Sequence, residues 1–251
     1  MIELNEISKF LDEYLQIHKF KDGFINGLQI AGKQQIKKIA ALVDTSLKGF
    51  QMAIENDADM IIVHHGLLTT QSQAITDITY EKIKLLIKND VALYAVHLPL
   101  DAHAIVGNNI QFLKLFDIIP QKMFAEYNGN MLGYIGLLPE KKTITELTEA
   151  INKKLDVQAL LMNFGKKYVE KIAIIVGSGC SGLREAWLEN VDLFITGEPR
   201  LNAWHEAAEY KINVICAGHY ATETLGLKAL LAFISEKFPV ETKFLELKCQ
   251  I

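Results

Sequence analysis

The apolar positions of the chain fall into two rhythms. Leu4, Ile7, Phe10, Leu11, Tyr14 and Leu15 recur at helical spacing, which predicts an amphipathic helix over residues 3–17. Short runs of branched apolar residues follow, alternating with helical stretches. They predict strands at 39–43, 61–64 and 91–96, a helix between the first two reaching about residue 56, another over 80–88 and a third ending near 116. Asp22-Gly23 and Asn26-Gly27 are turn signals, and Asn26-Gly27-Leu28-Gln29 is polar enough for a surface or a cleft wall. Either Asp44 or Ser46 would cap the helix that follows the first strand.

Residues near 129–165 change character. Gly129, Gly133, Gly136 and Pro139 surround a short apolar strand at 131–138, a helix starts near Thr143, and a strand lies near 158–162. This stretch reads as an appended α+β module. The α/β pattern then resumes with strands at 171–176, 192–196 and 213–217, a glycine-rich loop at 177–182, helices over 183–190, 202–210 and 222–237, and a last strand at 243–247. A shift of 133 lays Ile39-Ala40 on Ile172-Ala173, Ala53 on Ala186, Asp59 on Asp192 and His65 on Glu198. The expected fold class is therefore α/β, with two similar lobes, 1–125 and 168–251, facing a central cleft, and a small α+β module at 126–167. Parallel α/β sheets present ligands at the carboxyl ends of their strands, so two facing lobes would line one cleft from both sides.

Composition narrows the class of partner. The 251 residues are half hydrophobic with a net charge of −4, as in a soluble globular protein without the basic footprint of a nucleic-acid binder. A local basic groove remains compatible with those totals. The start, Met1-Ile2-Glu3-Leu4-Asn5-Glu6, has neither the cationic beginning nor the apolar core of a signal peptide, and no run approaches the ~20 apolar residues of a membrane span. Three widely spread cysteines, Cys180, Cys216 and Cys249, fit reduced thiols and a cytoplasmic location.

Candidate chemistry collects at strand ends. Ile61-Ile62-Val63 runs into His64-His65-Gly66, and a turn there can bring both imidazoles to one edge although neighbours on a strand point oppositely. Asp101 follows the strand that ends in His97, and His219 and Glu223 are four apart, on one face of a helical turn. Taken singly, Asp101 can cap a turn, Glu223 can complement a helix dipole, and a histidine can be a satisfied core residue. Taken together, five donors exceed the three or so that one catalytic metal keeps and suit two ions with a bridging carboxylate. A histidine and carboxylate set without thiolate points to zinc, manganese, iron or magnesium.

Asn-Gly-Leu-Gln at 26–29, Asp-Thr-Ser at 44–46, His-His at 64–65 and His-Leu-Pro-Leu-Asp-Ala-His at 97–103 occur in order, followed by Gly-Asn-Asn at 107–109, Thr-Gly-Glu at 196–198 and Gly-His-Tyr-Ala-Thr-Glu at 218–223. In these motifs the chain resembles the YbgI-like family, the GTP cyclohydrolase 1 type 2 homologues, over nearly its whole length. The resemblance implies two α/β lobes, a dinuclear metal centre and a toroidal hexamer, with His64, His65, Asp101, His219 and Glu223 as ligands and Glu223 as the bridge. Gly66 departs from the proline that many relatives carry there, which changes turn rigidity and removes no ligand. His97 and His103 read as outer residues that orient carboxylates or close the cleft. Glu198 reads as a general base or a structural hydrogen-bond partner. The 177–182 loop lacks the Gly-Lys-Ser/Thr ending of a nucleotide-hydrolase loop, which favours a tight turn over a phosphate cradle.

The function expected from this reading is a dinuclear metal-dependent hydrolase of a phosphorylated, nucleotide-like small molecule. The family name implies hydrolytic opening of the imidazole ring of GTP, giving formate and 7,8-dihydroneopterin triphosphate. The alternatives are a metal-dependent phosphatase, phosphodiesterase or nuclease, and a non-enzymatic metal-binding ring scaffold.

Overall fold

The computed structural model of the chain describes residues 1–249. By its own packing the chain forms two units among the described residues, Met1–Leu100 with Gly226–Leu247, and Asp101–Leu225 with Lys248 and Cys249. The division expected from the sequence (1–125, 126–167 and 168–251) cuts across this grouping.

The first unit opens with β1 (Ile2–Glu3) and α1 (Leu4–Tyr14), then β2 (Gly27–Ile30), β3 (Gln35–Ile36), β4 (Lys38–Leu42), α2 (Leu47–Glu55), β5 (Met60–Val63), α3 (Asp77–Lys88) and β6 (Ala92–Ala95). A short α4 (Leu98–Ala102) carries the chain past the division to α5 (Asn108–Leu115). Then come β7 (Ile119–Tyr127), β8 (Asn130–Thr143), α6 (Ile144–Leu155), β9 (Leu160–Met162), β10 (Tyr168–Ile175), α7 (Leu183–Leu188), β11 (Leu193–Thr196), α8 (Leu201–Tyr210) and β12 (Asn213–Cys216). Helix α9 (His219–Lys237) and β13 (Glu241–Phe244) complete the order.

In the first unit the sheet order is β13-β4-β5-β6-β2, with β13, β4, β5 and β6 parallel and β2 antiparallel. Every residue of β5 and β6 is buried, as parallel strands covered on both faces require. Ile61, Val63 and Leu93 pack with Phe50 and Ala53 of α2 and Leu86 of α3. Each such fully buried aliphatic side chain contributes about 2 kcal/mol. Ser46, not Asp44, caps α2, its hydroxyl accepting from the Gly49 N–H at 3.0 Å.

In the second unit the order is β7-β8-β10-β11-β12-β9, with β10, β11 and β12 parallel and the flanking strands antiparallel. The stretch expected as a separate α+β module is therefore part of this sheet. Strand β7 carries no predicted counterpart because its residues are mostly exposed, which erases the apolar alternation. Its turn signal was present: Asn128 and Gly129 both have positive φ, as an Asn-Gly hairpin turn needs. Thr143 and Glu146 form a reciprocal capping box on α6.

The internal echo extends to hydrogen bonds. Ile39 pairs with Met60 across β4 and β5 as Ile172 pairs with Leu193 across β10 and β11, positions related by the same shift. Asp59 accepts from the Lys37 and Lys38 N–H groups (2.9 and 3.1 Å) and the Lys33 ammonium (2.8 Å). Asp192 accepts from the Glu170 and Lys171 N–H groups (both 3.1 Å) and the Lys166 ammonium (2.6 Å). Burial alone would push both carboxyls up, but these donors outweigh it and hold both below the usual aspartate value. Each aspartate clasps the start of one parallel strand to the start of the next.

Candidate metal centre

In the first unit β5 stops at Val63, and His64 and His65 lie in the bend beyond it. The His65 N–H donates to the Val43 carbonyl at 2.9 Å, which anchors the bend to the end of β4. His64 is fully buried, and its Nδ1 lies 2.9 Å from the Val96 carbonyl oxygen. His65 Nδ1 lies 2.7 Å from Asp44 Oδ1. Carbonyl and carboxylate oxygens only accept, so both imidazoles carry hydrogen on Nδ1 and, when neutral, the lone pair on Nε2. That is the arrangement of a metal-ligating histidine with an outer partner.

Two further side chains fix this bend. Gln29 Oε1 accepts from the Leu67 and Leu68 N–H groups (2.8 and 2.9 Å), and its amide donates to the Leu68 carbonyl (3.0 Å). A Cβ on Gly66 would stand 2.5 Å from Gln29 Nε2, so a larger residue there must displace the tip of that side chain. Asn26 Oδ1 accepts from the His97 N–H at 2.8 Å. The Asn-Gly-Leu-Gln motif thus works as a pair of pins for the histidine-bearing loops, a role its polarity alone did not reveal.

His97, beyond β6, joins the same group. One ring nitrogen from each of His64, His65 and His97 lies within 4.8 Å of the others. His97 Nδ1 donates to Asp22 Oδ1 at 2.9 Å, so a carboxylate orients this ring as well. His103 Nδ1 accepts from the Ile105 and Val106 N–H groups, both at 3.2 Å, and so caps a turn.

The second unit prepares its own donors. Asp101, buried, accepts from the Asn108 amide at 2.8 Å, and Asn109 bonds the Asp101 carbonyl (3.1 Å) and the Val176 N–H (3.0 Å). The Gly-Asn-Asn motif therefore aims Asp101 and stitches it to the end of β10. Helix α9 begins at His219, placing His219 Nε2 3.0 Å from Glu223 Oε1 one turn later. His219 Nδ1 lies 3.0 Å from Glu198 Oε2. An imidazole between two carboxylates serves a proton or a divalent cation equally well.

Gly177 has φ +60, and a Cβ there would collide with Glu223 Oε1 and stand 3.1 Å from His219 Nε2. Its N–H donates to Thr222 Oγ1 at 3.2 Å. The glycine loop is thus a tight turn that makes room for the carboxylate.

These features define an α/β protein whose strand ends hold oriented imidazoles and carboxylates. The Duf34/NIF3 model (NGG1p interacting factor 3) matches residues 2–250, and the chain belongs to that family, as its motifs implied. Two relatives named GTP cyclohydrolase 1 type 2 homolog are similar over 98% of both chains: that of Pyrococcus horikoshii is 41% identical, and that of Archaeoglobus fulgidus 39%. Among solved structures, protein YbgI has a TM-score of 0.94 at 31% identity, and TTHA1606 from Thermus thermophilus has 0.91 at 33%, each with full coverage of both chains. Among the described residues no helix is long and apolar enough to cross a membrane.

Proposed function

We propose that His64, His65, Asp101, His219 and Glu223 hold two divalent cations, with Glu223 shared, in a hydrolase acting on a nucleotide-like substrate. The observation that carries this reading is that His64, His65 and His219 each have Nδ1 against a carbonyl or carboxylate oxygen. In each case the oxygen against Nδ1 is the outer partner that orients a metal-ligating imidazole and turns its Nε2 toward the ion. The set also fits the cations chemically: three imidazoles and two carboxylates without thiolate favour zinc or iron, with manganese next and magnesium last.

When bound, the pair of cations would lower the pKa of a water and neutralise charge developing on the substrate. The chain's own residues supply orientation. Asp44 and Glu198 hold imidazoles, Asn108 holds Asp101, and the missing side chain at Gly177 lets Glu223 reach its place. Glu198, 32% exposed and hydrogen-bonded to His219, is the group we assign to accept or return a proton near the substrate. The names of the relatives favour GTP, with ring opening to 7,8-dihydroneopterin triphosphate and formate.

Metal analysis of protein purified without chelator should return about two ions per chain. Metal-restored protein should then release formate from GTP without releasing phosphate. Phosphate release would move the assignment to a phosphatase. Metal without turnover of any nucleotide would favour the scaffold reading, and a toroidal hexamer would appear as an assembly mass of six chains by light scattering.

A further inference from the structure

Two of the three cysteines, far apart in the chain, meet in the second unit. Cys216 ends β12 beside Thr196 of β11, and Ile175 of β10 flanks Thr196 on the other side. Beyond β10 the chain folds back over these strand ends: a Cβ on Gly179 would stand 2.5 Å from the Ile175 Cβ and 3.0 Å from Thr196 Oγ1. Cys180 is thereby set on the sheet face that carries Cys216, and both belong to one buried cluster with Ala173, Ile175 and Phe194. The two thiols are hydrogen-bonded to each other, Cys216 donating to Cys180. Cys180 Sγ in turn donates to the Glu198 carbonyl at 3.1 Å and accepts from the Arg200 N–H.

A buried cysteine ordinarily fills space as a small hydrophobe, with nothing around it to favour a thiolate. Cys180 departs from that. The Cys216 thiol, the Arg200 N–H and the Arg200 guanidinium hold it below the ordinary thiol range against the effect of burial, whereas Cys216, donating to Cys180 and buried, is pushed up. One sulfur is prepared as the nucleophile and the other as the thiol that follows it. Ser178 and Ser181, on either side of Cys180, are exposed, so its sulfur lies just beneath the surface.

We propose that Cys180 and Cys216 are a redox-reactive pair that a hydroperoxide converts to an intramolecular disulfide. The Cys180 thiolate attacks one oxygen of hydrogen peroxide, the O–O bond breaks, and a water leaves once its hydroxide takes up the thiol proton. The Cys216 sulfur then attacks the resulting sulfenic acid, the S–O bond breaks, and a second water carries away the Cys216 proton. Two thiols have lost two electrons and two protons, and one peroxide has become two waters. The Cys180 S–H is consumed, so the Glu198 carbonyl loses this donor, and the change reaches the residue whose carboxylate orients His219. Nothing in this chemistry requires a metal at the strand ends.

The test is peptide mass mapping of Cys249→Ser protein, which lacks the exposed third thiol, after treatment with hydrogen peroxide and digestion without reductant. The expected product is a Cys180–Cys216 linked peptide pair, lighter than its two reduced peptides by two hydrogens and separated by dithiothreitol. Cys216→Ala should stop Cys180 at the sulfenic acid, trapped with dimedone, and Cys180→Ala should slow oxidation of Cys216 about tenfold or more. The proposal is overturned if both thiols stay reduced in the folded protein under conditions that oxidise them after unfolding. Sulfinic acid on either sulfur without a linked pair would overturn it too. The mapping needs neither buried variant, so a folding defect in Cys180→Ala or Cys216→Ala leaves the test intact.

Discussion

The parallel strands of the two units are built alike and chemically divided. β4-α2-β5-α3-β6 and β10-α7-β11-α8-β12 share strand register and the aspartate clasp. They part at three matched positions. Asp44 corresponds to Gly177, His64 to Gly197 and His65 to Glu198. In the first unit the carboxylate at 44 orients the imidazole at 65. In the second the carboxylate stands at 198 and orients an imidazole from the next segment, His219. A Cβ on Gly197 would stand 2.6 Å from the Gly177 carbonyl and 2.7 Å from His219 Cα, so no histidine can occupy that place. One scaffold thus delivers imidazoles from a strand end in one case and from a helix start in the other. The backbone plan is tolerant, and the identity of a few residues beyond each strand decides the chemistry.

The largest effect should come from what the two units share. Asp59→Ala and Asp192→Ala each strand two backbone N–H groups and a lysine, and each should cost about 3 kcal/mol in chemical denaturation. Unequal losses would break the equivalence. Because both carboxyls are held below their unfolded value, their stabilisation is complete above the ordinary aspartate pKa and disappears as pH falls through the lowered folded values. Stability curves in acid should therefore steepen in wild type and flatten in either variant.

Where the units differ, Gly177→Ala should be next in size. It combines a positive φ with a collision at Glu223, and metal affinity should fall on the order of a hundredfold. Gly66→Ala should do much less, since the tip of Gln29 can yield. Glu198→Gln and Asp44→Asn weaken the two orienting carboxylates, and each should lower metal affinity about tenfold without changing the fold. A loss confined to one of them would say that the units do not contribute equally. Ser46→Ala should cost about 1 kcal/mol by removing the α2 cap, whereas α7 begins at Gly182 without a side-chain cap to lose.

Much of this was legible in the chain. Buried parallel strands read as unbroken apolar runs, so the strand ends bearing His64, His65 and His97 could be located from sequence. The β7-β8 hairpin was not found, because an exposed strand leaves no apolar period, although Asn128-Gly129 marked its turn. Asp44 looked like a helix cap and Asp22 like a turn residue; both proved to hold imidazoles.

The sequence alone determined the central parallel strands with the helices between them, the repeated half-pattern and the family, because periodicity and turn chemistry are local properties. Tertiary structure decided that His64, His65 and His97 carry hydrogen on Nδ1, and why glycine sits at 177 and 197. Those outcomes depend on partners such as Asp22 and His97, 75 residues apart, or His65 and Asp44, 21 apart, and distances of that kind leave no period in a chain.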